Sequence, residues 1–302
     1  MNTITPPSSK TRQDLVWGSV FGAAIGDALG FPFEFMLRDQ VHAAAPFGPI
    51  HYRATKTTEF GEVSDDTYMS LAVLEGIKAQ SLSVIEERFQ DWYRSERFWP
   101  SVPGIATTQA LRGRSPVPSE GNGACMKAHI SALYIEDATE AVRHAIHVAQ
   151  LTHISQELGH NEVAIAFVVL GIKYAMFQPA NPNLEAFIEF ATSNIHVLAP
   201  EFHDFFYQNL TNLRSIVLDH THEVSGWSVD TANYAIRTWL TYPEDFLSCI
   251  RTAVLLGGDT DTTATVVGAL AGAYVGFSNL PKHLLEPLNV REEILSLVAP
   301  NS

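Results

Sequence analysis

Within Gly257-Gly258-Asp259-Thr260-Asp261-Thr262-Thr263, two carboxylates and three hydroxyls follow a Gly-Gly pair. A second acidic knot, Ser64-Asp65-Asp66-Thr67, lies far upstream. Carboxylates held ~4 Å apart repel by roughly 4 kcal/mol at an effective dielectric near 20, so a fold that gathers them needs a cation or a shared proton. An all-oxygen donor set suits a hard divalent ion, Mg2+ or Mn2+. Helix capping accounts for a single Asp or Thr at a helix start. Two acid-rich starts flanked by hydroxyls shift the reading toward metal. Gly121-Asn122-Gly123 opens a further segment; glycine-flanked amides there suit phosphate oxygens, and a plain glycine-rich turn is the alternative.

Helices must position these groups. Nearly every segment has helical period and caps, and alternating strand patterns are scarce, so the chain reads as all-α, a single multi-helix domain over 13–302. The expected helices run from about Asp14 to Leu29, from a start within Gly61 to Thr67, with Ser64 as its N-cap, through Leu74, then Ser83 to Arg97, through Met126 and Leu133, and Asp137 to Leu151. They continue with Glu162 to Phe177, Leu184 to Leu198, Glu201 to Leu213, Val229 to Leu240, Pro243 to Leu256 and Val290 to Leu297. Residues 31–61 and 113–123 read as loops. The first helix carries Gly18, Gly22, Gly26 and Gly30 at four-residue spacing on one face, and the segment after Asp261 carries Gly268, Gly272 and Gly276. Each helical glycine costs about 1 kcal/mol against alanine, so the rows need a compensating close approach of backbones. Packing the two rows together would bring Asp27 toward Asp259.

With 302 residues, 46% hydrophobic and 17% charged, the chain has material for a large core. A net charge of −14 argues against nucleic acid as main partner. Cys125 and Cys249 form no CxxC, so neither a disulfide framework nor a zinc site is indicated, and a reducing cytoplasm is the expected compartment. Residues 262–280 are uncharged and glycine-rich, but a run opening Thr-Thr-Ala-Thr behind two aspartates reads as a buried central helix rather than a membrane span. Residues 1–12 are polar, lack an apolar signal core and read as a flexible arm.

Two acidic helix starts in an all-α chain fit two enzyme classes. The isoprenoid-synthase DDxxD pattern fails at Met69. The ordered set Gly26-Asp27-Ala28-Leu29-Gly30, Ser64 to Thr67, Gly121 to Met126 and Gly257 to Ala264 resembles the ADP-ribosylglycohydrolase family, of the dinitrogenase-reductase-activating type, over about 240 residues. The resemblance implies two Mg2+ or Mn2+ ions on Ser64, Asp65, Asp66, Asp259, Asp261 and Thr262, with Asp261 bridging. Asp27 reads either as a further ligand or as a brace that holds the metal loop by hydrogen bonds. It also implies catalytic carboxylates at Asp65, Asp66, Glu34 and Asp261, and substrate contacts at Gly121, Asn122, Gly123 and His153. Lys127 stands where relatives often place arginine, and Ser119-Glu120 where several carry an aromatic for adenine. The implied activity is hydrolysis of ADP-ribose from an acceptor, foremost arginine on protein. The alternative is a silent or bifunctional binding or immunity protein that sequesters an ADP-ribosyltransferase, with the arm as its contact.

Overall fold

The structure, a computed structural model, describes residues 10–56, 58–98, 103–156, 159–218 and 223–299. In chain order its helices are α1 (Arg12–Gly30), α2 (Arg38–Ala44), α3 (Asp65–Lys78), α4 (Leu82–Tyr93), α5 (Ile105–Gly113), α6 (Ala128–Tyr134), α7 (Ala138–Ala149) and α8 (His160–Met176). They continue with α9 (Leu184–Ser193), α10 (His203–Ser215), α11 (Ser228–Thr241), α12 (Phe246–Leu255), α13 (Thr260–Val275), α14 (Lys282–Leu285) and α15 (Arg291–Val298). The architecture is a single all-α domain. The one sheet among the described residues is a two-residue parallel pair, β1 (Val117–Pro118) with β2 (His153–Ile154).

All sixteen residues of α13 are buried, as expected of a helix apolar on every face. Around it stand α1, α8, α11 and α12. The two glycine rows meet: a Cβ built on Gly18, Gly22 or Gly26 would collide with the carbonyl oxygen of Gly272, Gly268 or Ala264. Partners on α13 fall in number as those on α1 rise, so the helices run antiparallel. Ser19 Oγ donates to Ala269 O at 2.9 Å and Thr260 Oγ1 to Gly30 O at 3.0 Å, stitching the seam with side chains small enough to fit it. The seam therefore sets the C-terminal end of α1, with Asp27, against the N-terminus of α13.

Several boundaries differ from those expected. Segment 31–61 is not all loop, because α2 forms within it, its Leu37 amide N–H held by the Gln40 side chain at 2.9 Å. The helix expected over 83–97 ends at Tyr93, with Arg94 closing the last turn, and the one expected over 184–198 ends at Ser193 beside Asn194. Helix α5 was not anticipated; Gly104 precedes it and Arg114 ends it in the left-handed region at φ 50°. Residues 1–9 of the expected arm lie outside the described residues. Its last three are packed: Lys10 Nζ donates to Tyr274 O at 2.7 Å, Thr11 caps α1 by accepting from Asp14 N–H at 3.1 Å, and Arg12 donates to Leu133 O at 2.7 Å.

The seam makes its glycines irreplaceable. Gly22→Ala is expected to lower unfolding free energy by at least ~1–3 kcal/mol, the range for overpacking, read from urea denaturation. Gly113→Ala, where an added Cβ meets nothing within 4 Å, is expected to stay within ~0.5 kcal/mol of wild type.

Candidate functional site

Asp27 organises the site from beneath. Its carboxylate accepts from Ser64 N–H at 3.0 Å, Thr67 N–H at 3.1 Å and Thr67 Oγ1–H at 2.5 Å, so the last turns of α1 grip the N-terminus of α3. These donors make it a brace between α1 and α3, and one of its oxygens also lies within 4.8 Å of one oxygen each of Asp66 and Asp261. Ser64 caps α3, accepting from Asp66 N–H at 3.3 Å, and its hydroxyl lies 3.1 Å from Asp66 Oδ2. Thr262 Oγ1 donates to the same Oδ2 at 3.1 Å, joining α3 to α13.

At the start of α13, Gly257 and Gly258 take φ of 74° and 75°. A Cβ on Gly258 would strike Val224 O, so the loop turns here only as glycine. The turn is held on both sides: Gly258 N–H donates to Met36 O at 3.0 Å, Phe35 N–H to Gly258 O at 2.8 Å, and Asp259 N–H to Val224 O at 3.2 Å. Asp259 occupies the N-cap position without making a side-chain cap bond. Capping thus explains Ser64 and does not explain Asp259.

Negative charge is crowded and dry. Asp66 and Asp261 are buried, and burial followed by neighbouring carboxylates pushes both well above the ordinary carboxylate range. Burial, then Asp259, raises Glu34 to about 8; burial, then Asp27, raises Asp65 to about 8. Asp27 is raised less, to about 6, because its hydrogen bonds favour the anion. Three buried oxygens, Asp66 Oδ1, Asp259 Oδ1 and Asp261 Oδ1, have no hydrogen-bond partner. Buried anionic oxygens without donors are what a divalent cation satisfies, so the residues fit the ion their chemistry suggested.

In front of this centre opens a cavity of about 970 Å³. Asp65, Asp259, Asp261, Thr262 and Glu34 line it together with Gly121, Asn122, Gly123 and His153. Ser64 and Asp66 lie behind the wall. Glu34 closes a 3-10 turn, Phe31–Phe33, and does not cap the next helix; the N-cap of α2 is Leu37. His153 is fixed by the β1–β2 pair, its Nδ1 2.8 Å from Thr152 Oγ1, and burial then Lys127 lower it to about 3, so its ring is neutral. A Cβ on Gly123 would come within 2.7 Å of that ring.

The segment 121–123 differs from the helix start expected. It is a 3-10 turn, Asn122–Ala124, and α6 begins only at Ala128. Two amides of 121–123 are engaged, Gly121 N–H with Ser119 Oγ at 3.1 Å and Asn122 N–H with Gly226 O at 2.8 Å, and the turn closes with Ala124 N–H donating to Gly121 O at 3.1 Å. The Asn122 side chain turns inward to Asp259 and Thr231. Lys127 is also inside, donating from Nζ to Gly123 O, and burial lowers it to about 8 while Cys125, Asp65 and Asp66 favour its charge. The loop 224–228, the backbone partner of both Gly258 and Asn122, was missed by the sequence reading; Ser225-Gly226 marks it only as a turn.

The ADP-ribosylglycohydrolase family model matches residues 8–300. The chain is 27% identical over 298 residues to ADP-ribosyl-dinitrogen reductase glycohydrolase of Rhodospirillum rubrum, covering 93% of this chain and 92% of that one. It is 26% identical over 316 residues to the ADP-ribosylarginine hydrolase Tri1 of Serratia proteamaculans (strain 568), covering 97% and 81%. A solved structure titled ADP-ribosylglycohydrolase-related protein complex shares the fold, with TM-score 0.71, 24% identity and coverage of 95% and 96%.

The raised carboxylates fix a sign for stability. Between the unfolded value near 4 and folded values up to about 8, the folded chain binds more protons than the unfolded one, so metal-free stability falls as pH rises through that window. The melting temperature in EDTA is expected to be lower at pH 8.5 than at pH 6, with the increment on adding Mg2+ larger at pH 8.5. Asp261→Asn is expected to melt higher than wild type in EDTA and to lose most of that increment. A metal-free melting temperature that rises with pH would contradict the electrostatic account.

Proposed function

The chain belongs to the ADP-ribosylglycohydrolase family, and from that premise we propose that this glycosidase is cation-dependent and releases ADP-ribose from mono-ADP-ribosylated arginine on protein. The observation that carries the reading is the convergence of five acidic or hydroxyl groups with the 121–123 turn and His153 on one cavity of about 970 Å³. That volume sits at the upper end of small-molecule sites, roughly 300–1,000 Å³, and suits a dinucleotide-sized ligand.

Two Mg2+ or Mn2+ ions, held by Ser64, Asp65, Asp66, Asp259, Asp261 and Thr262, would supply an acidified water and a clamp on the ribose hydroxyls. The remaining work falls to the chain's own groups. Glu34 and Asp65 face the cavity, whereas Asp66 is behind it and tied to Ser64 and Thr262. We assign the base to Glu34, with Asp65 as the alternative. Its carboxylate takes a proton from water as the C–O bond forms at the anomeric carbon; the C–N bond to the guanidinium breaks with its electron pair going to nitrogen, and the proton held by the carboxyl is returned to the departing guanidine. His153 and the Gly123 amide hold the diphosphate without reacting.

Arginine as acceptor draws support from the relatives named ADP-ribosylarginine hydrolase and from Phe35. This ring, next to Glu34, is 70% exposed at the cavity wall, on a backbone at φ 57°. A non-glycine residue held in that strained region by its bond to Gly258 fits a functional placement. An aromatic face beside carboxylates suits a planar cation. A purely sequestering protein has no use for the buried acidic cluster, which costs stability.

Wild type with Mg2+ or Mn2+ is expected to release free ADP-ribose from arginine-modified protein, measured by chromatography. Glu34→Gln is expected to lower kcat by ~10²-fold or more, and Phe35→Ala to act chiefly on KM for the arginine-linked substrate. A wild type inactive with both cations would sink the reading.

A further inference from the structure

We propose that Asn122 is a positioning residue of the cation centre, aiming Asp259, and not a ligand of the substrate diphosphate. Its side-chain Nδ2 donates at 3.0 Å to Asp259 Oδ2 and at 3.1 Å to Thr231 Oγ1. An amide NH2 has two hydrogens, and both are spent. Its backbone N–H is spent as well, on Gly226 O at 2.8 Å. The residue is 8% exposed, so what it presents to the cavity is small.

Asp259 needs such a partner. It makes no cap bond within its own helix, and its neighbour Gly226 has no side chain; a Cβ there would lie 3.3 Å from Oδ2. With Oδ2 tied to Asn122, the other oxygen, Oδ1, is left buried and without a donor. The donor is neutral, so it orients the carboxylate without cancelling the charge a cation requires. Lys127, the nearby buried cation, spends its Nζ on Gly123 O instead. Thr231 completes the relay. It is fully buried on α11, its own N–H donates to Trp227 O at 3.1 Å, and it lies outside the cavity lining. Orientation therefore passes from α11 through Thr231 and Asn122 to Asp259. Partners that orient metal ligands from behind typically contribute 10- to 100-fold to affinity.

The inference rests on the reading of Asp259 as a cation ligand, and Mn2+ titration by calorimetry without nucleotide separates the two. Asn122→Ala is expected to bind Mn2+ ~10- to 100-fold more weakly than wild type. Thr231→Val, which keeps the volume and removes the acceptor outside the cavity, is expected to weaken Mn2+ binding in the same direction by a smaller factor. Melting curves in EDTA establish that each variant is folded. Unchanged Mn2+ affinity in both folded variants, with loss of ADP-ribose binding in Asn122→Ala, would overturn the positioning role and return Asn122 to the substrate. A wild type that binds no Mn2+ would overturn the ligand reading of Asp259 itself.

Discussion

Direct backbone contact between α1 and α13 is the constraint on which the rest of the molecule depends. Four glycines on one helix and two on the other line the contact, and at each of the six an added methyl would strike a carbonyl oxygen of the facing helix. Each glycine weakens its own helix, so the seam persists only because packing along its whole length outweighs that cost. Its register determines where chemistry can occur. With the helices antiparallel, the turn carrying Asp27 sits beside Thr260 and Asp261, and Asp27 then captures α3 through Ser64 and Thr67. Two acidic knots far apart in the chain become one site through a single buried carboxylate.

The same arrangement concentrates charge that the protein interior does not tolerate. Burial dominates the displacement of Glu34, Asp65, Asp66 and Asp261, and their mutual repulsion adds to it. A fold under no other demand would replace some of these groups with amides or apolar residues. Their presence alongside three donorless oxygens is the observation that supports the cation proposed for this site. The hydrogen bonds that do exist orient rather than neutralise: Ser64, Thr262 and Asn122 supply uncharged donors to Asp66 and Asp259.

Legibility in the sequence followed the range of the interactions. Glycine spacing on α1 and α13 and the Ser64 cap are local patterns, and the structure contains both. Helix ends were read less well, because Tyr93 and Ser193 end their helices by turns that carry no glycine or proline signal. The segment 121–123 shows the limit most clearly. Its Gly-Asn-Gly composition is that of an anion-binding helix start, yet the Gly121 and Asn122 amides are engaged with Ser119 and Gly226. No local pattern reveals that Gly226, over a hundred residues away, takes one of them.

By itself the sequence determined the helical class, the two glycine faces, the acidic helix starts and the motif order that places the chain in its family, since each is a matter of residue type and short-range spacing. Only the tertiary structure decided which carboxylates face the cavity and which lie behind it, that Asn122 turns inward, and that Lys127 is buried. Those outcomes depend on which way a side chain points once helices from distant parts of the chain have met, and that direction is set by packing rather than by position along the chain.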